Sequence, residues 1–133
     1  MSDYFIRPYK PEDKSFIMAS WLRGLYYGDT WFSLIPKQIF MENYKHFLEA
    51  LLDKSTIRIA CSSEDPDQIF GYAVLSKSLQ TVHWIFIKTL YRKKGIANQL
   101  VPKDITFVSH LTPLGQSLMV KRPGCVFNPF SVS

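Results

Sequence analysis

Cysteine is scarce: Cys61 and Cys125 are the two in 133 residues. Two are too few for a disulfide framework, and their separation does not match metal-ligand spacing. The sequence therefore predicts reduced thiols in a cytoplasmic setting. The three histidines, His46, His83 and His110, have no cysteine pair nearby, so no zinc signature is present and no metal is expected. No apolar run approaches the roughly 20 residues needed to cross a bilayer. The opening MSDYFIRPYK lacks the apolar core of a secretory signal. Eight scattered prolines exclude a coiled coil. Neither GxxxxGK[ST] nor GxGxxG occurs, which excludes a P-loop and the Rossmann fingerprint.

What is present points to a globular protein. The chain is 47% hydrophobic and 15% aromatic, too rich in both to stay disordered. Its length suits one domain over residues 1–133, with a core large enough to need no staple. Sixteen Lys and Arg against eleven Asp and Glu leave a net charge of +5, which favours an anionic partner without naming it.

The apolar pattern orders the elements. Phe5-Ile6 suits a short strand before Pro8. Lys10-Pro11-Glu12-Asp13 opens a helix to about Arg23 that buries Phe16, Ile17 and Trp21, with Gly24 and Gly28 marking a break. Phe40, Tyr44, Phe47, Leu48 and Leu51 recur at steps of three and four, an amphipathic helix that Pro36 begins. The period then switches to two. Ile57 to Cys61, Ile69 to Leu75 and Val82 to Ile87 read as an antiparallel meander. Pro102 ends a further helix early. Ile105–Ser109 is a strand, expected parallel to Val82–Ile87 because a helix must cross over between them. A short helix over Leu114 to Val120 and an edge strand near Val126–Phe130 close the chain.

The most informative stretch joins the third meander strand to a helix: Phe86-Ile87, then Tyr91-Arg92-Lys93-Lys94-Gly95-Ile96-Ala97. A helix start offers unpaired N–H groups and partial positive charge. Gly95 permits close backbone approach, small Ala97 leaves room, and three basic residues add charge, all of which suit a pyrophosphate.

This motif resembles the cofactor loop of the GCN5-related N-acetyltransferases (GNAT), R/Q-x-x-G-x-G/A. The resemblance in element order covers roughly residues 5–120. It implies an α+β fold, with a mixed and mostly antiparallel central sheet flanked by helices and splayed between its fourth and fifth strands. It also implies transfer of an acetyl group from acetyl-CoA to an amine of a protein or a small molecule. Phe86 and Ile87 would then offer backbone hydrogen bonds to pantetheine. Arg92, Lys93, Lys94, Gly95, Ile96 and Ala97 would cradle the pyrophosphate.

A lysine-type amine, pKa near 10.4, is neutral in about one molecule in 2,500 at pH 7, so deprotonation costs about 4.6 kcal/mol. The family often places a glutamate where His83 stands, which makes His83 the candidate base. Strict alternation would set His83 on one sheet face with Ile85 and Ile87, where it could equally be packing.

The chain departs from the family in having no tyrosine after Tyr91 to protonate the leaving thiolate. His110 and Ser117 fall in the corresponding region. The aromatic segment Tyr26–Phe32 either lines an acceptor pocket or interface, or seals the core. Asp29 could attract a cationic amine, and His46 reads as structural. Two other functions remain open: a non-catalytic acyl-CoA- or protein-binding member of the fold, and a basic nucleic-acid module. The last is disfavoured because the basic residues gather at one turn instead of lining a face.

Overall fold

The structure is a computed structural model describing residues 3–28, 30–92, 94–110 and 113–131. Six strands form one sheet in sequential order: β1 Tyr4–Pro8, β2 Ser55–Ser62, β3 Ile69–Ser76, β4 Thr81–Ile87, β5 Phe107–Val108 and β6 Val126–Phe127. The first four pair antiparallel. β5 joins β4 in parallel, as the intervening helix requires, and β6 joins β5 in parallel. The mixed, mostly antiparallel sheet therefore matches the expected class.

Helices cover both faces. α1 (Lys14–Gly28) and α3 (Lys37–Asp53), with the short α2 (Thr30–Ser33) between them, pack on one face. Their core joins Ile17, Trp21, Phe40, Leu48 and Leu51 to Ile57, Ile59, Tyr72, Val74 and Trp84. On the other face α4 (Ile96–Leu100) and the chain after it bring Ile96, Leu100, Val101 and Ile105 onto Ala73, Leu75, Val82, Ile85 and Ile87. α5 spans Pro113–Lys121. Pro102 stops α4 as expected, since Val101 before it is already extended (φ −105°, ψ 128°).

Three local expectations change. α1 runs through Gly24 to Gly28. Gly24 is there for packing: a Cβ on it would lie 2.7 Å from the Trp84 ring. This close approach lets Trp84 stack on Trp21 at 5.6 Å between centroids. Pro36 sits just before α3, as its N-cap. β5 has two residues where five were expected, because only Thr81 and Val82 of β4 find partners in it.

The N-terminal expectation of acidic residues at a helix start holds, with a firmer reason. Asp13 takes both guanidinium nitrogens of Arg7 at 2.8 Å, and the Lys10 N–H at 2.8 Å. Burial pushes the Asp13 carboxyl up, but these donors outweigh it and hold the carboxyl below its usual range. β1 is thereby tied to the entry of α1.

Candidate functional site

The sheet opens beside β4, and a single extra residue explains why. Val82 faces Leu75 and Trp84 faces Val74, so β4 advances two residues while β3 advances one. His83 is the extra residue of a β-bulge. A bulge bends its strand and re-aims its side chain. Val82 and Ile85, three apart, consequently share one apolar cluster. His83 therefore leaves the alternation, and its expected place beside Ile85 and Ile87 is corrected. The pairing with β5 ends at the same point, with the Ser109 N–H donating to the Val82 carbonyl at 3.0 Å. Beyond it β4 runs on to Ile87 with no strand on that side among the described residues.

The ladder's parity decides which backbone groups face the opening. Lys88 donates to the Phe70 carbonyl at 2.9 Å, and Phe86 lies opposite Tyr72. In an antiparallel pair, alternate residues bond across while those between turn their N–H and C=O away. Phe86 therefore spends its backbone on β3, and it is Ile85, with Ile87, whose backbone turns away from β3. Ile85 and Ile87 point their backbone groups into the opening. The Ile87 carbonyl already accepts from Arg92 Nε at 2.9 Å.

The glycine turn lies at this same end. A short helical turn, Thr89–Tyr91, follows β4. Tyr91 stacks on Phe70 at 3.7 Å, and its hydroxyl accepts from Gln68 Nε2 at 3.3 Å. Lys94 lies over the Tyr91 ring, 5.8 Å from its centroid. Gly95 has φ +80° and immediately precedes α4, with nothing within 4 Å of the position a Cβ would take. The turn's outer side is thus open. Ile96 is buried and anchors α4, whereas Ala97 is half-buried. The first N–H groups of α4 have no acceptor within the helix. Lys93 and Asp29 lie outside the described residues. Ile87, Arg92, Lys94, Gly95, Ile96 and Ala97 are thus gathered at one end of β4.

His83 is 2% exposed, and its Nδ1 lies 2.8 Å from Ser109 Oγ. The same Oγ is 3.0 Å from His110 Nδ1, and His110 Nε2 is 3.4 Å from the Tyr44 hydroxyl. His110 also sets its ring edge-on to Trp21 at 5.8 Å. Burial holds His83 down to about 4. Burial and the neighbouring His83 hold His110 at about 4 as well. Both rings are neutral at pH 7. Sequence reasoning found His83 and His110 separately but not the Ser109 hydroxyl between them. The only available signal was a polar Ser-His pair ending an apolar strand. Ser117 is exposed, and His46 is exposed on α3.

The aromatic segment seals the core in part. Tyr26 is buried, donates to the Ile35 carbonyl at 2.9 Å and packs against Phe40. Phe32 lies between Phe40 and Tyr44. Tyr27 is exposed, with the Lys37 ammonium over its ring.

No protein-family model matches the chain, and no curated protein matches it. Solved structures do. A putative acetyltransferase from Pyrococcus furiosus matches with a TM-score of 0.58 at 13% identity, over 94% of this chain and 80% of that one. A predicted acetyltransferase from Clostridium acetobutylicum, solved with acetyl-CoA, matches at 0.55 and 16% identity, over 90% and 88%. A GCN5-related N-acetyltransferase from Rhodopseudomonas palustris matches at 0.51 and 20% identity, over 75% of this chain but less than two thirds of its own length, 62%. The chain has a GNAT-like fold, with the sheet opening between β4 and β5.

Proposed function

We propose that the protein is an N-acetyltransferase that moves an acetyl group from acetyl-CoA to an amine of a protein or small molecule by direct attack. One observation carries this reading: the free edge of β4 at Ile85 and Ile87 runs directly into an open glycine turn, on a GNAT-like fold. An unpaired strand edge offers N–H and C=O groups at strand spacing, which suits the two amides of a pantetheine arm. At the end of that edge, the backbone of Gly95, Ile96 and Ala97 and the charges of Arg92, Lys93 and Lys94 suit the pyrophosphate. Arg92 holds the Ile87 carbonyl and so keeps the turn beside the edge. The buried free thiols Cys61 and Cys125 accord with a cytoplasmic setting.

His83 is the proposed proton acceptor, in a narrower role than an unperturbed histidine would fill. A base whose conjugate acid has a pKa of about 4 takes a proton poorly from a free ammonium. The gap to 10.4 is about 6.4 units, or about 8.7 kcal/mol. Once the amine nitrogen has bonded to the acyl carbon, its N–H is far more acidic. Proton uptake by His83 belongs to that later stage, and the amine sheds its first proton to solvent.

Calorimetry with acetyl-CoA tests the reading, together with CoA release in the presence of primary amines. Micromolar binding that Arg92→Ala weakens at least tenfold is expected, and no heat from the intact protein would overturn it. A second reading, binding without turnover, is favoured by the low basicity of His83 and the lack of a tyrosine after Tyr91. Binding without CoA release for any amine would select it.

A further inference from the structure

We propose that Ser109, His110 and Tyr44 form a relay that passes the proton taken up at His83 from the buried end of β4 to the tyrosine of α3. The inference rests on the acetyl-transfer reading above and adds three residues to it. Its basis is a continuous chain of polar atoms through an otherwise apolar layer: His83 Nδ1 to Ser109 Oγ at 2.8 Å, Ser109 Oγ to His110 Nδ1 at 3.0 Å, and His110 Nε2 to Tyr44 Oη at 3.4 Å.

The hydroxyl between the two rings imposes a rule. Ser109 has one O–H to give, so it donates to one Nδ1 and accepts from the other. The two neutral histidines must therefore hold opposite tautomers. When His83 carries its proton on Nδ1, its Nε2 lone pair is free, and among the described residues Nε2 has no protein partner. A proton arriving at Nε2 releases the Nδ1 proton to Ser109 Oγ. The Ser109 proton moves to His110 Nδ1, and the His110 Nε2 proton moves to Tyr44 Oη, which, on a half-buried residue, releases its own to solvent. One proton enters, one leaves, and each heavy atom regains its neutral valence. Both rings are left as the opposite tautomers, and one proton passing back from solvent through Tyr44, His110 and Ser109 to His83, whose Nε2 proton then leaves once the product has gone, resets the chain.

The surroundings favour passage over storage. The groups facing the two rings are Tyr44 and Phe47 from α3, Trp21 from α1, and the rings themselves from β4 and the end of β5. Among the described residues no carboxylate or cation touches the chain, so an imidazolium has nothing to stabilise it and hands its proton on. The edge-on contact with Trp21 and the Ser109 bond fix the His110 ring so that its two nitrogens reach both neighbours.

The test has two arms. In the first, ¹⁵N NMR of the imidazoles in the intact protein at pH 7 should show one Nδ1–H and one Nε2–H tautomer, both neutral. Two identical tautomers, or a charged ring, overturn the relay whether or not any amine is acetylated. In the second, acetyl-CoA and a panel of amines (benzylamine, spermidine and a lysine peptide) are used with Ser109→Ala, Ser109→Thr and Tyr44→Phe. Ser109→Ala should lower kcat at least tenfold and change the solvent deuterium isotope effect, with acetyl-CoA affinity unchanged. Ser109→Thr, which keeps a hydroxyl, should restore turnover, and Tyr44→Phe should reproduce the loss. Parental kcat and isotope effect in both Ser109→Ala and Tyr44→Phe would overturn the relay while leaving acetyl transfer intact. Absent acetyl-CoA binding by the parent protein would instead remove the underlying reading.

Discussion

The two sides of β4 are built on different plans. Toward β3 it pairs from Val82 to Ile87 around the bulged His83, and β3 and the β2 beyond it are eight residues each. Toward β5 the pairing stops after two residues, and the elements beyond it are short. Long antiparallel ladders make a rigid wall, because consecutive strands pair locally and bury side chains on both faces. The other side trades pairing for an opening. A single bulge at His83 sits where the change occurs, immediately after Val82, the last residue of β4 paired with β5.

That contrast can be broken by removing the wall's largest filler. Trp21 is fully buried and stacked on Trp84. Trp21→Ala should cost about 3–5 kcal/mol in urea unfolding. Val108→Ala, in the short β5, should cost clearly less, and equal losses would mean that the two sides are equally structural. A second probe uses pH. The folded His83 is held at about 4 against 6.5 for the free side chain. Between those values the unfolded chain binds the extra proton, so stability is full above pH 6.5 and falls as pH drops toward 4. The loss attributable to His83 is about 3 kcal/mol. His110, held at about 4 as well, adds a similar loss over the same range, so His83→Gln should make this part of a stability-versus-pH curve shallower without abolishing it. The same shift puts any His83 limb of an activity profile near pH 4, so a rise across pH 6–9 would report the amine.

The opening can be sharpened at Gly95. Its φ of +80° strains any other residue by about 1–2 kcal/mol. Nothing lies within 4 Å of its Cβ position, so for Gly95→Leu, which is not branched at Cβ, this backbone strain should be the main stability cost. It should, however, weaken acetyl-CoA binding in calorimetry by at least tenfold. The smallest effect is expected at the sheet's far edge. Phe127 is 43% exposed, and Phe127→Ala should move the melting free energy by less than about 0.5 kcal/mol. A larger loss would show that β6 belongs to the rigid part.

Much of this architecture was legible in the sequence. The switch from steps of three and four to steps of two separates α3 from β2 and places the meander correctly, since both periods express one buried face. Pro102 marks the end of α4, and Gly95 its start. Gly24 was misread as a break because helix propensity is local. What it accommodates is Trp84, sixty residues away in sequence. His83 was assigned to the wrong face because alternation assumes an unbroken ladder, and a bulge shows only against a partner strand. That Ile85 and not Phe86 turns its backbone outward has a related reason: the direction in which a backbone N–H points depends on the register with β3.

The sequence by itself determined most of the helices and strands, their order, and the basic glycine turn, because these follow from periodicity and from backbone limits within a few residues. The tertiary structure alone decided where the sheet opens, which carbonyls line the opening, and that Ser109 links two histidines to Tyr44. Each of these depends on atoms brought together across the fold, and a neutral histidine of low basicity arises only where packing has excluded water from its ring.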